Sequence, residues 1–178
     1  MWQRIFVFFM IFPFSSSMNS VHHYEIVKRP MTWHEAVNYA VRRGGYLAEI
    51  NSKEEQKKIW DLVSEANIDL SATIAPDGGG ASYLWLGGTD EGHEGNWIWD
   101  GDFDGKGILF WKGKVDGEPV NGAYVNWGNE PDNYGDKQNA LGLALTEWPL
   151  GSGRLGKPGE WNDLYAGNRL YFIVEFEK

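Results

Sequence analysis

Residues 126–133 read NWGNEPDN, and residues 160–163 read EWND. Both stretches crowd carboxylates and amides into a few positions. Such oxygens suit a hard cation, which takes roughly six to eight of them at about 2.3–2.6 Å. If the fold joins the two stretches, Glu130, Asp132, Asn162 and Asp163 converge on one ion. Asp90 and Glu94 offer further oxygens from an earlier segment. An ion held this way keeps coordination positions open for a pair of ligand hydroxyls. A bland alternative stays open: Pro131 sits in an ordinary surface turn and its acidic neighbours are merely solvated.

Composition narrows the field around that pair of segments. The chain has 178 residues, a length that favours one domain with one sizeable core. Its formal net charge is −9. An acidic surface repels phosphate, so a nucleic-acid partner is disfavoured, whereas a cation is suited to it. Residues 1–20 read as a secretory leader: Arg4, then the apolar run 5–14, then small residues from Ser15 to Ser20. The run is short for a membrane span, so the mature chain, residues 21–178, is expected to carry none. An uncleaved anchor, or an apolar start that packs on the fold, stays open. The expected location is secreted or cell envelope. The chain has no cysteine. Disulfides are therefore excluded, and packing and bound metal must supply the stability they would add.

The chain then divides into recognisable elements. Tyr24 to Val27 reads as a strand. Thr32 with Glu35 forms a capping box, followed by Trp33, Ala36, Val37, Ala40 and Val41 at helical spacing, with Gly44 and Gly45 as a stop. Tyr46 to Ile50 reads as a short strand. Ser52 with Glu55 repeats the box ahead of a second helix whose apolar face carries Ile59, Trp60, Leu62 and Val63. Residues 67–82 read as a loop around Pro76 and Gly78 to Gly80. Tyr83 to Leu86 reads as a buried strand. A long Gly-, Asn- and Asp-rich stretch runs from Gly87 to about Asp136, with Trp97, Trp99, Trp111 and Trp127 along it. That many aromatics argue for a folded region and for loop anchors in a small core rather than exposed sugar platforms. Loops of this length carry function in compact domains. Strands return at Ala140 to Thr146 and Leu170 to Phe176, with a turn-rich excursion from Pro149 to Gly159 between them.

Taken in order, these segments resemble the C-type lectin-like family from about Tyr24 to Glu175. Thr32-Trp33 and Gly44-Gly45-Tyr46-Leu47-Ala48-Glu49-Ile50 resemble its first helix and second strand. Trp85-Leu86-Gly87-Gly88 resembles its core tetrad, and Glu94-Gly95-Asn96-Trp97-Ile98-Trp99 the turn and strand that follow. Asn126-Trp127, Glu130-Pro131-Asp132 and Trp161-Asn162-Asp163 resemble its binding-loop motifs. The resemblance implies an α+β fold: two helices, small antiparallel sheets and a long loop region bearing the site. It places Ala40 with Val174, and Ala140 with Ala166, where the family has two disulfides. Cysteine-less members of this kind resemble bacterial secreted or surface modules, as does the segment from Gly105 to Ala123.

The resemblance also implies a ligand set. Glu130, Asp132, Asn162 and Asp163 match the family's primary Ca2+ ligands, and Gln138 stands where a glutamate normally joins them. A cis peptide bond before Pro131 is implied as well. Two vicinal sugar hydroxyls would then replace water on the ion, donating to carboxylates and accepting from amides. Asp90 and Glu94 match an auxiliary Ca2+ site whose other contributors are Asn133, Gln138 and Asn139. Hydrogen bonding of Asp90 and Glu94 to loop amides is the competing reading. Glu-Pro-Asp fits neither the mannose-type Glu-Pro-Asn nor the galactose-type Gln-Pro-Asp, so no sugar is assigned. Asp100, Asp102 and Asp104 open like a calcium loop, but Trp111 stands where a closing glutamate is needed, so an acidic hairpin is favoured.

The expected function is thus calcium-dependent carbohydrate binding, with a glycan or glycoprotein as partner. A protein-binding or adhesin-like surface module on the same scaffold is the alternative, with calcium ordering its loops or absent. An enzyme is disfavoured. Carboxylates sharing one cation are held ionised and make poor general acids. The four histidines show no zinc-protease spacing, and no G-x-S-x-G or phosphate loop is present.

Overall fold

The computed structural model describes residues 21–177. The leader expected over residues 1–20 lies outside them. The chain enters through β1 (His22–Met31) and leaves through β9 (Leu170–Glu177), which pair antiparallel with His22 opposite Glu177. The two ends of the domain are therefore neighbours in one sheet. Among the described residues the sheet has nine strands.

α1 (Trp33–Arg42) starts where the sequence requires it. Thr32 accepts from the Glu35 N–H, and the Glu35 carboxylate accepts from the Thr32 N–H at 3.0 Å. Trp33, Ala36, Val37 and Ala40 form its buried stripe. Val41 does not belong to it: 46 % exposed, it sits on the solvent side of the last turn. β2 is shorter than expected, Tyr46–Leu47, and pairs with β9. α2 (Lys53–Glu65) has only half of its expected box. Ser52 caps the Glu55 N–H, but the Glu55 carboxylate turns to the Asn51 N–H at 2.8 Å instead. Ile59 and Val63 are buried, while Trp60 and Leu62 are half-buried.

β3 (Tyr83–Thr89) is the hub, buried at every position. It runs parallel to β9 and antiparallel to β7 (Ala140–Ala144). β7 in turn pairs with β8 (Trp161–Leu164), setting Gly142 opposite Asn162 and Leu141 opposite Asp163. On the other side β3 pairs with β4 (Asn96–Trp99), which continues through β5 (Ile108–Lys112) to β6 (Glu118–Pro119). The stretch from Gly87 to Asp136 is thus partly strand, not only loop. Its tryptophans are anchors: Trp97, Trp99 and Trp111 are buried and Trp127 is half-buried.

Two apolar clusters flank the sheet. One gathers Trp33, Trp85, Trp148 and Phe172; the other gathers Ile50, Trp97, Trp99, Phe110 and Trp161. Each fully buried large side chain of this kind stabilises the fold by about 1.5–3 kcal/mol. Ala40, Val174 and Ala140 are buried in the first cluster, and Ala166 packs against it. Where the resemblance places cysteines, this chain has small apolar contacts.

Candidate functional site

The Pro131 turn and β8 meet. Asp163 points from β8 into the turn, and its two carboxylate oxygens accept the backbone N–H groups of Asp132 (3.2 Å) and Asn133 (2.7 Å). The Glu130–Pro131 peptide is cis. One ligating oxygen from each of Glu130, Asp132 and Asp163 lies within 4.8 Å of the others. Glu130 and Asp163 are buried; Asp132 is exposed. A cleft of about 250 Å³ opens beside them, bounded by Asp77, Gly79, Tyr134, Gln138 and Pro149 among others.

The electrostatics are uncompensated. Glu130 Oε1 accepts the Trp148 indole N–H at 3.0 Å, but its Oε2 is buried without a hydrogen-bond partner. Burial raises the Glu130 carboxyl to about 7, with the Asp132 charge adding to the rise. Burial also lifts Asp163 well above the usual carboxylate range, followed by the charge of Glu130. A buried carboxylate oxygen with nothing to bond costs free energy unless a proton or a cation supplies the partner. Three carboxylates around one point fit a divalent cation well.

Asn162 and Gln138 border the same place in different ways. Asn162 is buried and donates its Nδ2 to the Tyr83 hydroxyl at 2.9 Å, leaving its Oδ1 as the atom it has to offer a cation. Gln138 is a brace. Its Oε1 accepts the Tyr134 N–H at 2.6 Å, and its Nε2 donates to Asp77 Oδ2 at 2.9 Å. One lone pair on that carbonyl remains for a cation.

Among the described residues, Asp90 and Glu94 do not gather with a third carboxylate or histidine. The Asp90 oxygens accept the Gly95 N–H (2.8 Å) and the Asn139 amide (3.0 Å), and burial lifts its carboxyl to about 6. Glu94 is exposed. Asp100, Asp102 and Asp104 cluster within 4.8 Å, yet Asp100 caps the Asp104 and Gly105 N–H groups and Lys106 pairs with Asp104 at 2.7 Å. That is the acidic hairpin.

Two participants escaped sequence reasoning. Asp77 ties the cleft wall together, accepting from Gln138, from the Tyr165 N–H and from the Asn168 amide. Its position between Pro76 and Gly78 marks only a turn. Trp148 reaches Glu130 from the core, and no local motif announces it.

Residues 29–176 match the family model described as the lectin C-type domain. The chain is 27% identical over 148 residues to salivary C-type lectin 2 of Aedes albopictus, covering 83% of this chain and 78% of that one. It is 26% identical to the hemolymph lipopolysaccharide-binding protein of Periplaneta americana, covering 87% of this chain and 49% of the relative. Of the human C-type lectin domain family 4 member F it spans only 10%, with 34% identity over 80 residues. Among solved structures it resembles the mouse scavenger receptor C-type lectin carbohydrate-recognition domain (TM-score 0.55, 24% identity, 88% and 89% coverage) and human lithostathine (TM-score 0.60, 17% identity, 90% and 98% coverage). With a family match that runs almost from β1 to the end of β9, through the same turn and strand that bring Glu130 and Asp163 together, the chain belongs to the C-type lectin domain family.

Proposed function

We propose that this chain binds carbohydrate through a calcium ion held by Glu130, Asp132 and Asp163, with Asn162 and Gln138 completing the oxygen set. The supporting observation is the buried, unpartnered Oε2 of Glu130 in a group of three carboxylates beside a cleft. Calcium would supply a centre on which two vicinal sugar hydroxyls replace water. The protein's own part is positional. β8 fixes Asp163 in register, and Asp163 in turn gathers the turn that carries Asp132. Trp148 orients Glu130 from behind. Hydroxyl protons would be accepted by Glu130 and Asp132, and amide N–H would be given by Asn162 or Gln138. The action is coordination without turnover.

A secreted or cell-envelope location goes with this reading, behind a leader over residues 1–20 and ahead of one binding domain over 21–178. It rests on the apolar run 5–14; among the described residues no helix is long and apolar enough to cross a membrane. A bacterial host rests on the missing cysteines and the 105–123 segment alone, since the relatives named above come from animals.

The test is a calcium titration by calorimetry followed by a glycan array in calcium and in chelator. The expected result is saturable calcium binding and glycan signals that chelation abolishes and added calcium restores. Calcium binding with no glycan signal would favour the protein-binding module. No calcium binding would end the proposal.

A further inference from the structure

Among the described residues a second cleft shares no lining residue with the calcium cleft. It lies between α2 and the segments that lead into β8, and its volume is about 340 Å³. Sites for small ligands start at roughly this size, about 300 Å³. β8 separates the two clefts. Successive side chains on a strand leave opposite faces. Trp161 donates its indole N–H to Gln56 Oε1 at 2.9 Å in the wall of the second cleft, whereas Asn162 lines the calcium cleft.

The second cleft has a fixed frame. The Gly159 carbonyl oxygen accepts both the Gln56 amide (3.0 Å) and the Asn126 amide (2.8 Å), which ties α2 and the Asn126 segment to one atom. Gly159 has φ +88°, a backbone conformation that favours glycine. That requirement also leaves room. A Cβ at Gly159 would touch the ring carbons of Trp60 at 3.5 Å, so with glycine this part of the half-buried indole stays uncovered. Tyr124, also half-buried, supplies a second ring in the lining.

Unused polar groups surround these rings. Among the described residues the Trp60 indole N–H, the Tyr124 hydroxyl and the Lys53 ammonium have no hydrogen-bond partner. Asn126 donates from its amide nitrogen to Gly159 and keeps its carbonyl oxygen. Glu160 accepts the Lys157 N–H with one oxygen at 2.9 Å and keeps the other. Lys53 and Glu160 balance in charge, and Lys57 is paired with Asp61, so the cleft selects neither an anion nor a cation.

A neutral saccharide meets these conditions together. Its hydroxyls both donate and accept, and the C–H groups of a pyranose form an apolar face that packs on an aromatic ring. An extended peptide would need free backbone groups to pair with. Here the Gly159 N–H and carbonyl and the Glu160 N–H are already bonded within the protein. We propose that this cleft is a second, ion-independent saccharide site, in which a neutral pyranose packs on Trp60 and Tyr124 and hydrogen-bonds to Asn126 and Glu160.

Titration of the purified protein with cellotriose, maltotriose and chitotriose in chelator tests this, followed by 1H–15N NMR of the indole and side-chain amide signals. Without an ion a Kd of about 1 mM is expected, too weak to persist through the washes of a glycan array. The expected result is a saturable shift of the Trp60 indole signal by at least one of these sugars, with the same Kd when calcium replaces the chelator. Tyr124→Phe removes only a hydroxyl without a protein partner, so the fold persists, and affinity should fall about fivefold. Trp60→Ala should lower it by at least ~10-fold, read from the Asn126 amide signal. The proposal is overturned if no sugar moves the Trp60 signal at roughly 20 mM. It is overturned equally if sorbitol, a polyol without a ring, gives the same shift, or if both variants bind as the parent does. None of these outcomes depends on whether the calcium cleft holds an ion, which the calcium titration reads separately.

Discussion

Trp148 grips Glu130 from inside the core: the indole N–H reaches the carboxylate Oε1 at 3.0 Å, and the ring is 1% exposed. The site's orientation is thereby built into the packing. A carboxylate that would otherwise swing is held with one oxygen on the tryptophan and the other buried without a hydrogen-bond partner.

Glu130→Gln removes one charge and keeps the shape. Calcium affinity should fall by at least ~10-fold, since even outer-shell changes cost metal sites that much. In chelator the same variant should melt higher than the parent, because a buried carboxyl no longer has to ionise. Calorimetry and thermal melts read the two effects. Unchanged calcium affinity would remove Glu130 from the site.

Gly156→Ala should weaken calcium binding without touching a ligand. A Cβ there would sit 1.9 Å from the Trp148 ring, and Gly128 crowds the same ring from a second position. The indole must shift, and its bond to Glu130 goes with it. A roughly tenfold loss of calcium affinity is expected, as for other outer-shell changes. Full affinity in a folded variant would show that the tryptophan does not position Glu130.

The difference in melting temperature between calcium-loaded and chelated protein should widen as pH rises. Glu130 is lifted to about 7 by burial and by Asp132, and Asp163 is raised also. A carboxyl raised above its unfolded range holds a proton longer in the fold. Without metal, its contribution is fully present at low pH and is lost as pH climbs from ~4 to the folded value. Calcium binds the ionised form, so its affinity grows over the same interval and levels off above it. Melts from about pH 5 to about pH 8 with and without chelator check the sign. A constant gap would contradict it.

Trp161→Ala should cost about 3–5 kcal/mol in urea unfolding, and Trp161→Phe about 1–3 kcal/mol. The indole is fully buried, meets Trp99, Phe110, Tyr124 and Trp127 edge-on, and donates to Gln56 Oε1 at 2.9 Å. Phenylalanine keeps most of the packing but strands the Gln56 oxygen, which explains the smaller figure. A protease pattern unchanged by the alanine variant would refute the packing role.

Much of this was legible before any coordinates. Thr32 and Glu35 announce α1 because a capping box is a local device. The order of the Trp85-Leu86-Gly87-Gly88, Glu130-Pro131-Asp132 and Trp161-Asn162-Asp163 segments carries the resemblance to the family. The cis bond before Pro131, implied by that resemblance, is present. Trp161-Asn162-Asp163 resembles a binding-loop motif, yet Trp161–Leu164 is a fully buried strand, because its pairing with β7 is set by residues far away in the chain. Val41 fits a helical stripe by spacing and still faces solvent, since the sheet under α1 covers only part of that arc. Glu55 fits a second capping box and instead turns to Asn51, where Tyr24 also meets it.

By itself the sequence determined which residues carry the oxygens, where both helices begin, and that no thiol or disulfide takes part. Only the tertiary structure decided that Glu130 is held by Trp148, that Gln138 braces Asp77, and that Gln56 and Asn126 meet at the Gly159 carbonyl. The physical reason is range. Caps and helical stripes are written within a few residues, whereas these contacts join segments whose separation along the chain says nothing of their distance in space.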